Sequence, residues 1–212
     1  MQKVLTLSIA FALAATAAQR KDLFNHKDIN DWKVIPRHEG DKPGSKPSFE
    51  VVNGELRSTG EKGDIWYTRE KIGNAKLRVV FKMSNERGNS GVFTRIPVEP
   101  ASEDDAINKG IEVQIDNKDD DYHCTGVLYS MTKAKARPSK PAGEWNMMDI
   151  YMIGPRTVVY VNDVLVTDYD GVSAVPEKKK SYEPDRGRRS DTGYIALQSH
   201  DNTAVITFKE VS

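Results

Sequence analysis

The stretch A-K-L-R-V-V-F-K-M, from Ala75 to Met83, decides the fold. Leu77, Val79, Phe81 and Met83 alternate with Lys76, Arg78, Val80 and Lys82. A period of two puts the first set on one face of a strand and the second on the other, whereas a helix repeats every ~3.6 residues. The same pattern recurs along the chain. Strands are predicted over Phe49–Val52, Glu55–Ser58, Ile65–Thr68, Ser90–Arg95, Gly110–Asp116, Gly126–Tyr129, Asn146–Ile153, Thr157–Val161, Val164–Thr167, Gly193–Ser199 and Ala204–Lys209. Turn residues punctuate them. Asn53-Gly54 and Asn162-Asp163 tolerate positive φ and are read as two-residue hairpin loops. Residues 101–109 suit one helical turn. So many short strands with hardly a helix predict an all-β sandwich of two antiparallel sheets.

Composition narrows the classes. The 212 residues carry 31 Lys+Arg and 31 Asp+Glu, a formal net charge of zero. A nucleic-acid binder usually shows a basic surplus, because phosphate neutralisation supplies most of its affinity. No nucleic-acid partner is expected. The basic runs Lys178-Lys179-Lys180 and Arg186-Gly187-Arg188-Arg189 have acids beside them and no interleaved stacking platform, which fits a solvated loop. Met1-Gln2-Lys3 followed by the apolar run Val4–Ala15 and the small residues Ala15-Thr16-Ala17 predicts a signal peptide over 1–18 and a single domain over 19–212. The run is too short to span a bilayer, so the mature chain is expected in the periplasm or outside the cell, with no membrane contact. One cysteine, Cys124, excludes a disulfide scaffold and suits a buried filler better than a nucleophile.

Polar faces on three strands point to a ligand. In G-I-E-V-Q-I-D-N, Glu112, Gln114 and Asp116 oppose Ile111, Val113 and Ile115. In Y-I-A-L-Q-S-H, Gln198 and His200 share a face. In N-S-G-V-F-T-R, Phe93 and Arg95 share a face on which Gly91 leaves room for close approach. Acids, amides, a histidine, an arginine and an aromatic ring in one groove form the inventory of a sugar site. Trp66, Trp145 and Tyr194 are candidates for stacking on a sugar ring.

Eight motifs in order carry a resemblance. They are F-N-H-K-D-I-N-D-W (Phe24–Trp32), V-V-N-G-E-L (Val51–Leu56), N-S-G-V-F-T-R (Asn89–Arg95), G-I-E-V-Q-I-D-N (Gly110–Asn117), T-G-V-L-Y (Thr125–Tyr129), K-P-A-G-E-W-N (Lys140–Asn146), G-Y-I-A-L-Q-S-H (Gly193–His200) and the final F-K-E-V-S. The chain resembles the 3-keto-disaccharide hydrolase domain family, also described as a 3-keto-glucoside 1,2-lyase and 3-keto-2-hydroxy-glucal hydratase domain. The resemblance implies a concanavalin A-like jelly roll with a concave polar groove, secretion from bacteria, and a 3-keto glycoside or disaccharide as substrate. It departs at His26, where glycine is usual, and at Asn162-Asp163 in place of Asn-Gly.

A ketone at carbon 3 acidifies the hydrogen on carbon 2, so a base can start elimination of the carbon-1 substituent, and hydration then completes a net hydrolysis. That chemistry suits Glu112 or Asp116 as base or acid, and His200 as second proton carrier or ligand. Arg95, Gln114 and Gln198, with Phe93 and Trp145, would hold the sugar. Two alternatives stay open. Glu112, Gln114 and Asp116 resemble the Glu-x-Asp-x-Glu strand of sandwich-fold β-glucanases, which hydrolyse glycosides directly. The same fold also serves non-catalytic, lectin-like carbohydrate-binding modules. A divalent metal is chemically attractive, with Glu112, Asp116, His123 and His200 as candidate ligands, though no spacing establishes one.

Overall fold

The computed structural model describes residues 20–40, 48–200 and 202–212. The predicted signal peptide, and 41–47 of the loop after Pro36, lie outside the described residues. Among the described residues, twelve strands and one helix follow in the order β1 (Trp32–Ile35), β2 (Phe49–Val52), β3 (Glu55–Ser58), β4 (Gly63–Tyr67), β5 (Ala75–Met83), β6 (Asn89–Ile96), α1 (Glu103–Lys109), β7 (Ile111–Asp116), β8 (Asn146–Ile153), β9 (Arg156–Val161), β10 (Val164–Tyr169), β11 (Tyr194–Ser199) and β12 (Ile206–Val211). They form a five-stranded sheet, β1-β4-β11-β6-β7, and a seven-stranded sheet, β10-β9-β8-β5-β12-β3-β2. Each strand pairing is antiparallel.

The alternation works as expected. Leu77, Val79, Phe81 and Met83 of β5, Ile111, Val113 and Ile115 of β7, and Ile195 and Leu197 of β11 are buried in one core between the sheets. At roughly 1.5–3 kcal/mol for each large apolar side chain, this layer is the main stabilising contribution. Cys124 belongs to that core, as a filler should.

A smaller cluster of Ile35, Trp66, Phe93, Ile96, Ala106 and Ala196 lies apart from it. Its members occupy the opposite face of the five-stranded sheet, and Ala106 brings α1 onto that face. The helix is longer than the single turn expected, with Glu103, Asp104 and Asp105 in its first turn, where the helix dipole favours acids.

The hairpin loops follow the turn chemistry. Asn162 and Asp163 have φ of +50° and +65° and join Val161 to its partner Val164. Asn53 and Gly54 do the same between Val52 and Glu55, with φ of +52° and +79°. Two left-handed residues make a turn whose twist matches that of the strands. His26 has φ of +64°, which explains why glycine suits that position.

Two elements escape the pattern. The short strand β1 was not expected, since W-K-V-I is brief and sits beside a turn. Gly126–Tyr129 is not a strand of its own; it hangs on the free edge of β7 through an isolated bridge between Val113 and Leu128. The basic loop before β11 is tied to itself: Arg186 donates to the carbonyls of Pro176 and Pro184 and pairs with Glu183, and Arg188 pairs with Asp191.

Candidate functional site

Strand register builds the site on the face of the five-stranded sheet that turns away from the main core. Gln198 of β11 stands opposite Asp64 of β4, and the Leu197–Val92 pairing places it opposite Gly91, whose own partner is Gln114 of β7. The result is a polar row, Asp64, Gln198, Gly91 and Gln114, crossing four strands. The adjacent row on the same face runs Trp66, Ala196, Phe93, Glu112. It continues to Tyr129, whose backbone N–H donates to the Glu112 carbonyl at 3.0 Å.

Gly91 is required by what lies over it. A Cβ there would sit 2.9 Å from Glu112 Cγ and collide with the carboxyl group. The Glu112 side chain therefore folds across β6 towards the polar row. The Gln114 amide, oriented to satisfy its neighbours, donates to Glu112 Oε1 at 3.1 Å and to the Ser90 carbonyl at 3.2 Å. Ser90 Oγ donates to the Gln198 carbonyl at 2.7 Å, which fixes the backbone between the two amides.

Both acids of the face are held towards their neutral forms. Desolvation pushes the Glu112 carboxyl up to about 8. Asp64 is 2% exposed, and burial raises it well above the usual carboxylate range, with repulsion from Glu103 and Glu112 adding to the effect. Gln198 Oε1 is buried without a hydrogen-bond partner among the described residues. A protonated Asp64, its cross-strand neighbour, carries the kind of donor that this oxygen lacks. Tyr129 is half-buried, its hydroxyl raised by burial first and by Glu112 second. Its ring is held edge-on by His123 at 4.9 Å between centroids, and His123 Nδ1 lies 2.8 Å from Asp120 Oδ1.

The sequence-expected residues divide. Glu112, Gln114 and Gln198 come together as the alternation requires. Phe93 shares their face, but it is fully buried beneath the cluster that contains α1's Ala106, so it supports the floor. His200 follows the last residue of β11 and is half-buried at that strand's end. Asp116 ends β7, where its Oδ1 accepts from the N–H groups of Lys118 and Asp119; it lines a separate cavity of about 250 Å³ with Glu86, Asn117 and Arg137.

Arg95 and Trp145 are corrections. A β-bulge opposite Tyr194–Ala196 inserts an extra residue into β6, and Arg95 takes φ of +60° there. The bulge breaks the alternation that put Arg95 beside Phe93. Its buried guanidinium donates to the carbonyls of Ser190 and Arg156, both at 3.1 Å, and so ties the β6 bulge to the start of β9 in the other sheet. Arg95→Ala leaves two carbonyls without this partner and is expected to cost about 2–4 kcal/mol of stability, checked by urea denaturation. An unchanged midpoint would contradict the strut role. Trp145 precedes β8 in the other sheet, where Lys82 and Lys209 lie over its ring at 4.3 and 5.7 Å.

Of the expected metal ligands, His123 is the one that falls in a group close enough to share an ion among the described residues. Among the described residues, the group of His and acid side chains close enough to share an ion is Asp119, Asp120 and His123, not Glu112, Asp116 and His200. Two residues were missed. Asp64 lies one residue before the strand start expected at Ile65, and alternation with Trp66 in G-D-I-W-Y was the signal for it. Tyr129 closes the T-G-V-L-Y motif, but its place beside Glu112 depends on an edge pairing that periodicity does not show.

Known structures share this architecture. A protein described as a candidate glycosyl hydrolase from Parabacteroides distasonis superposes with a TM-score of 0.70 at 24% identity, over 90% of this chain and 96% of that one. The Bacillus licheniformis β-glucanase matches with a TM-score of 0.53 at 13% identity, over 90% and 94% of the two chains. Carbohydrate-binding module CBM66 from Bacillus subtilis matches with a TM-score of 0.53 at 16% identity, over 86% and 94%. At these identities the likeness shows the fold, a concanavalin A-like jelly roll. No curated protein matches the sequence. The family model for the 3-keto-alpha-glucoside-1,2-lyase-like domain matches residues 19–212, the whole predicted mature chain, and the protein belongs to that family.

Proposed function

We propose that this protein cleaves 3-keto glycosides on the outer face of its five-stranded sheet, with Glu112 and Asp64 as the proton carriers. The observation that carries this reading is the pair of desolvated carboxyls on one face, Glu112 raised to about 8 and Asp64 raised well above the usual carboxylate range. A base matched to removal of a hydrogen next to a ketone should titrate near the working pH, and a general acid should stay protonated there. The half-exposed Glu112 takes the first role and Asp64, the more buried of the two, the second.

Ionised Glu112 takes the hydrogen from carbon 2, and the electron pair forms the enolate of the 3-ketone. The Tyr129 hydroxyl, beside Glu112 in register, donates to the enolate oxygen. The carbon 1–oxygen bond then breaks, and Asp64 gives its proton to the departing oxygen. In the hydration half, Asp64, now a carboxylate, takes a proton from water as the oxygen adds to carbon 1, and Glu112 returns its proton to carbon 2. The amides of Gln114 and Gln198 bind sugar hydroxyls between the two acids. The sum is hydrolysis of the glycoside. Family membership supports the substrate class.

The test is a matched pair of substrates, a chromogenic glucoside and its 3-keto form. Release of aglycone from the keto form alone is expected. Equal release from both would favour direct hydrolysis, and binding of either without release would favour a carbohydrate-binding module. A secretory role follows the same proposal and is checked by fractionating cells that express the full sequence.

A further inference from the structure

The seven-stranded sheet carries a second polar cavity, remote in the topology from the face that holds Glu112 and Asp64. Asn53, Glu55, Arg57, Lys82, Ser84 and Thr207 are among its lining residues, and its volume is about 330 Å³. Register explains how it is built. Thr207 of β12 pairs with Arg57 of β3 on one side and with Lys82 of β5 on the other. Ile206 and Phe208 point into the core, so Thr207 points out. The Phe81–Asn146 pairing at the next position brings Trp145 beside Lys82. From Glu50 of β2, the cross-strand partner of Arg57, the outward row thus runs through arginine, threonine and lysine to tryptophan, the last four spanning about three strand spacings, roughly 14 Å.

Three observations distinguish this row from an ordinary charged surface. Thr207 is only 7% exposed and lines the cavity, and among the described residues no hydrogen bond engages its hydroxyl. Arg57, exposed on the rim, has no ion pair among the described residues. The β12 bulge between Phe208 and Glu210 adds Lys209 as a further cation, 5.7 Å from the Trp145 ring centre. Glu55, the acid among the lining residues, forms an ion pair with Lys82 at 3.9 Å, too long for a hydrogen bond.

We propose that this cavity is a binding site for an acidic saccharide, one bearing carboxylate or sulfate. The anionic group lies between Arg57 and Lys82 over the Thr207 hydroxyl, where a guanidinium and an ammonium neutralise it. Glu55 accepts from a sugar hydroxyl. The neighbouring ring packs on Trp145 once the flexible lysine arms give way. Such a site holds the enzyme on an anionic glycan while the other sheet does the chemistry.

The probe is trigalacturonic acid, with a neutral trisaccharide as control, in calorimetric titration of the full protein. Binding of the acidic probe alone is expected, weakening as salt is raised. The Arg57→Ser/Lys82→Ser double variant and Trp145→Leu should each lose about tenfold or more in affinity, with turnover on the other face unchanged. No binding by the wild type at millimolar probe, equal affinity for the neutral probe, or full affinity in the double variant would each overturn the proposal. Because it rests on binding alone, its failure leaves the activity on the Glu112 face untouched.

Discussion

Glu112→Gln is expected to lower turnover of a 3-keto glucoside by about 10²–10⁴-fold, the range of a positioned general base. Glutamine keeps the shape over Gly91 and the contact with the Gln114 amide, so the fold should survive. Wild-type activity should rise with pH through about 8, where Glu112 ionises. At pH 7 only about a tenth of the molecules would hold the active carboxylate, so the rate should climb nearly tenfold per unit below that point. Stability runs the other way. A carboxyl whose folded pKa is raised binds its proton more tightly in the native state. Its contribution is therefore complete below the unfolded value near 4.5 and is lost as pH rises to about 8. Discounted for the exposure Glu112 retains, the loss should be about 1–3 kcal/mol. Denaturation midpoints of the wild type should fall across that window, and those of Glu112→Gln should stay flatter. Wild-type turnover in the variant would end the assignment.

Most of the fold was legible because its determinants are local. The alternation in Ala75–Met83 is a statement about which side chains can be buried together, and the structure buries that set. Asn53-Gly54 and Asn162-Asp163 close hairpins because they accept positive φ without help from distant residues. Glu112, Gln114 and Gln198 were found by the same means. What was missed depended on distant partners. The bulge at Arg95 arises where β6 meets β11 and Gly193, a close approach in which any Cβ would collide with the Arg95 backbone. Nothing within N-S-G-V-F-T-R announces it. Trp145 is a sugar-stacking candidate by its residue type, but a residue's sheet is decided by topology: β8 joins β5 and β9, not β6. Tyr129 reaches Glu112 through a loop that doubles back on the edge of β7. Asp64 was the exception, available to alternation and lost to a strand boundary placed one residue late.

Asp64→Asn should separate proton donation from packing. Asparagine fits the same buried position and still offers a hydrogen-bond donor to Gln198 Oε1, the orphaned acceptor across the strand pair. It has no proton to give. A nitrophenolate leaving group needs none, so its release from a 3-keto glucoside should fall by less than about tenfold. A sugar alkoxide needs protonation as it leaves, and turnover of a 3-keto disaccharide should fall by about 10²–10³-fold. The ratio of the two losses is the signature, since a variant that merely loosens the site would slow both substrates alike. Stability again follows from the sign of the shift. The raised Asp64 favours the folded state at low pH, and that advantage fades as pH climbs towards its folded value. Asparagine escapes the penalty, so Asp64→Asn should match or exceed the wild type in urea at alkaline pH. Equal losses on both substrates would place Asp64 among the residues that shape the floor, leaving the departing oxygen to be protonated by another group on this face.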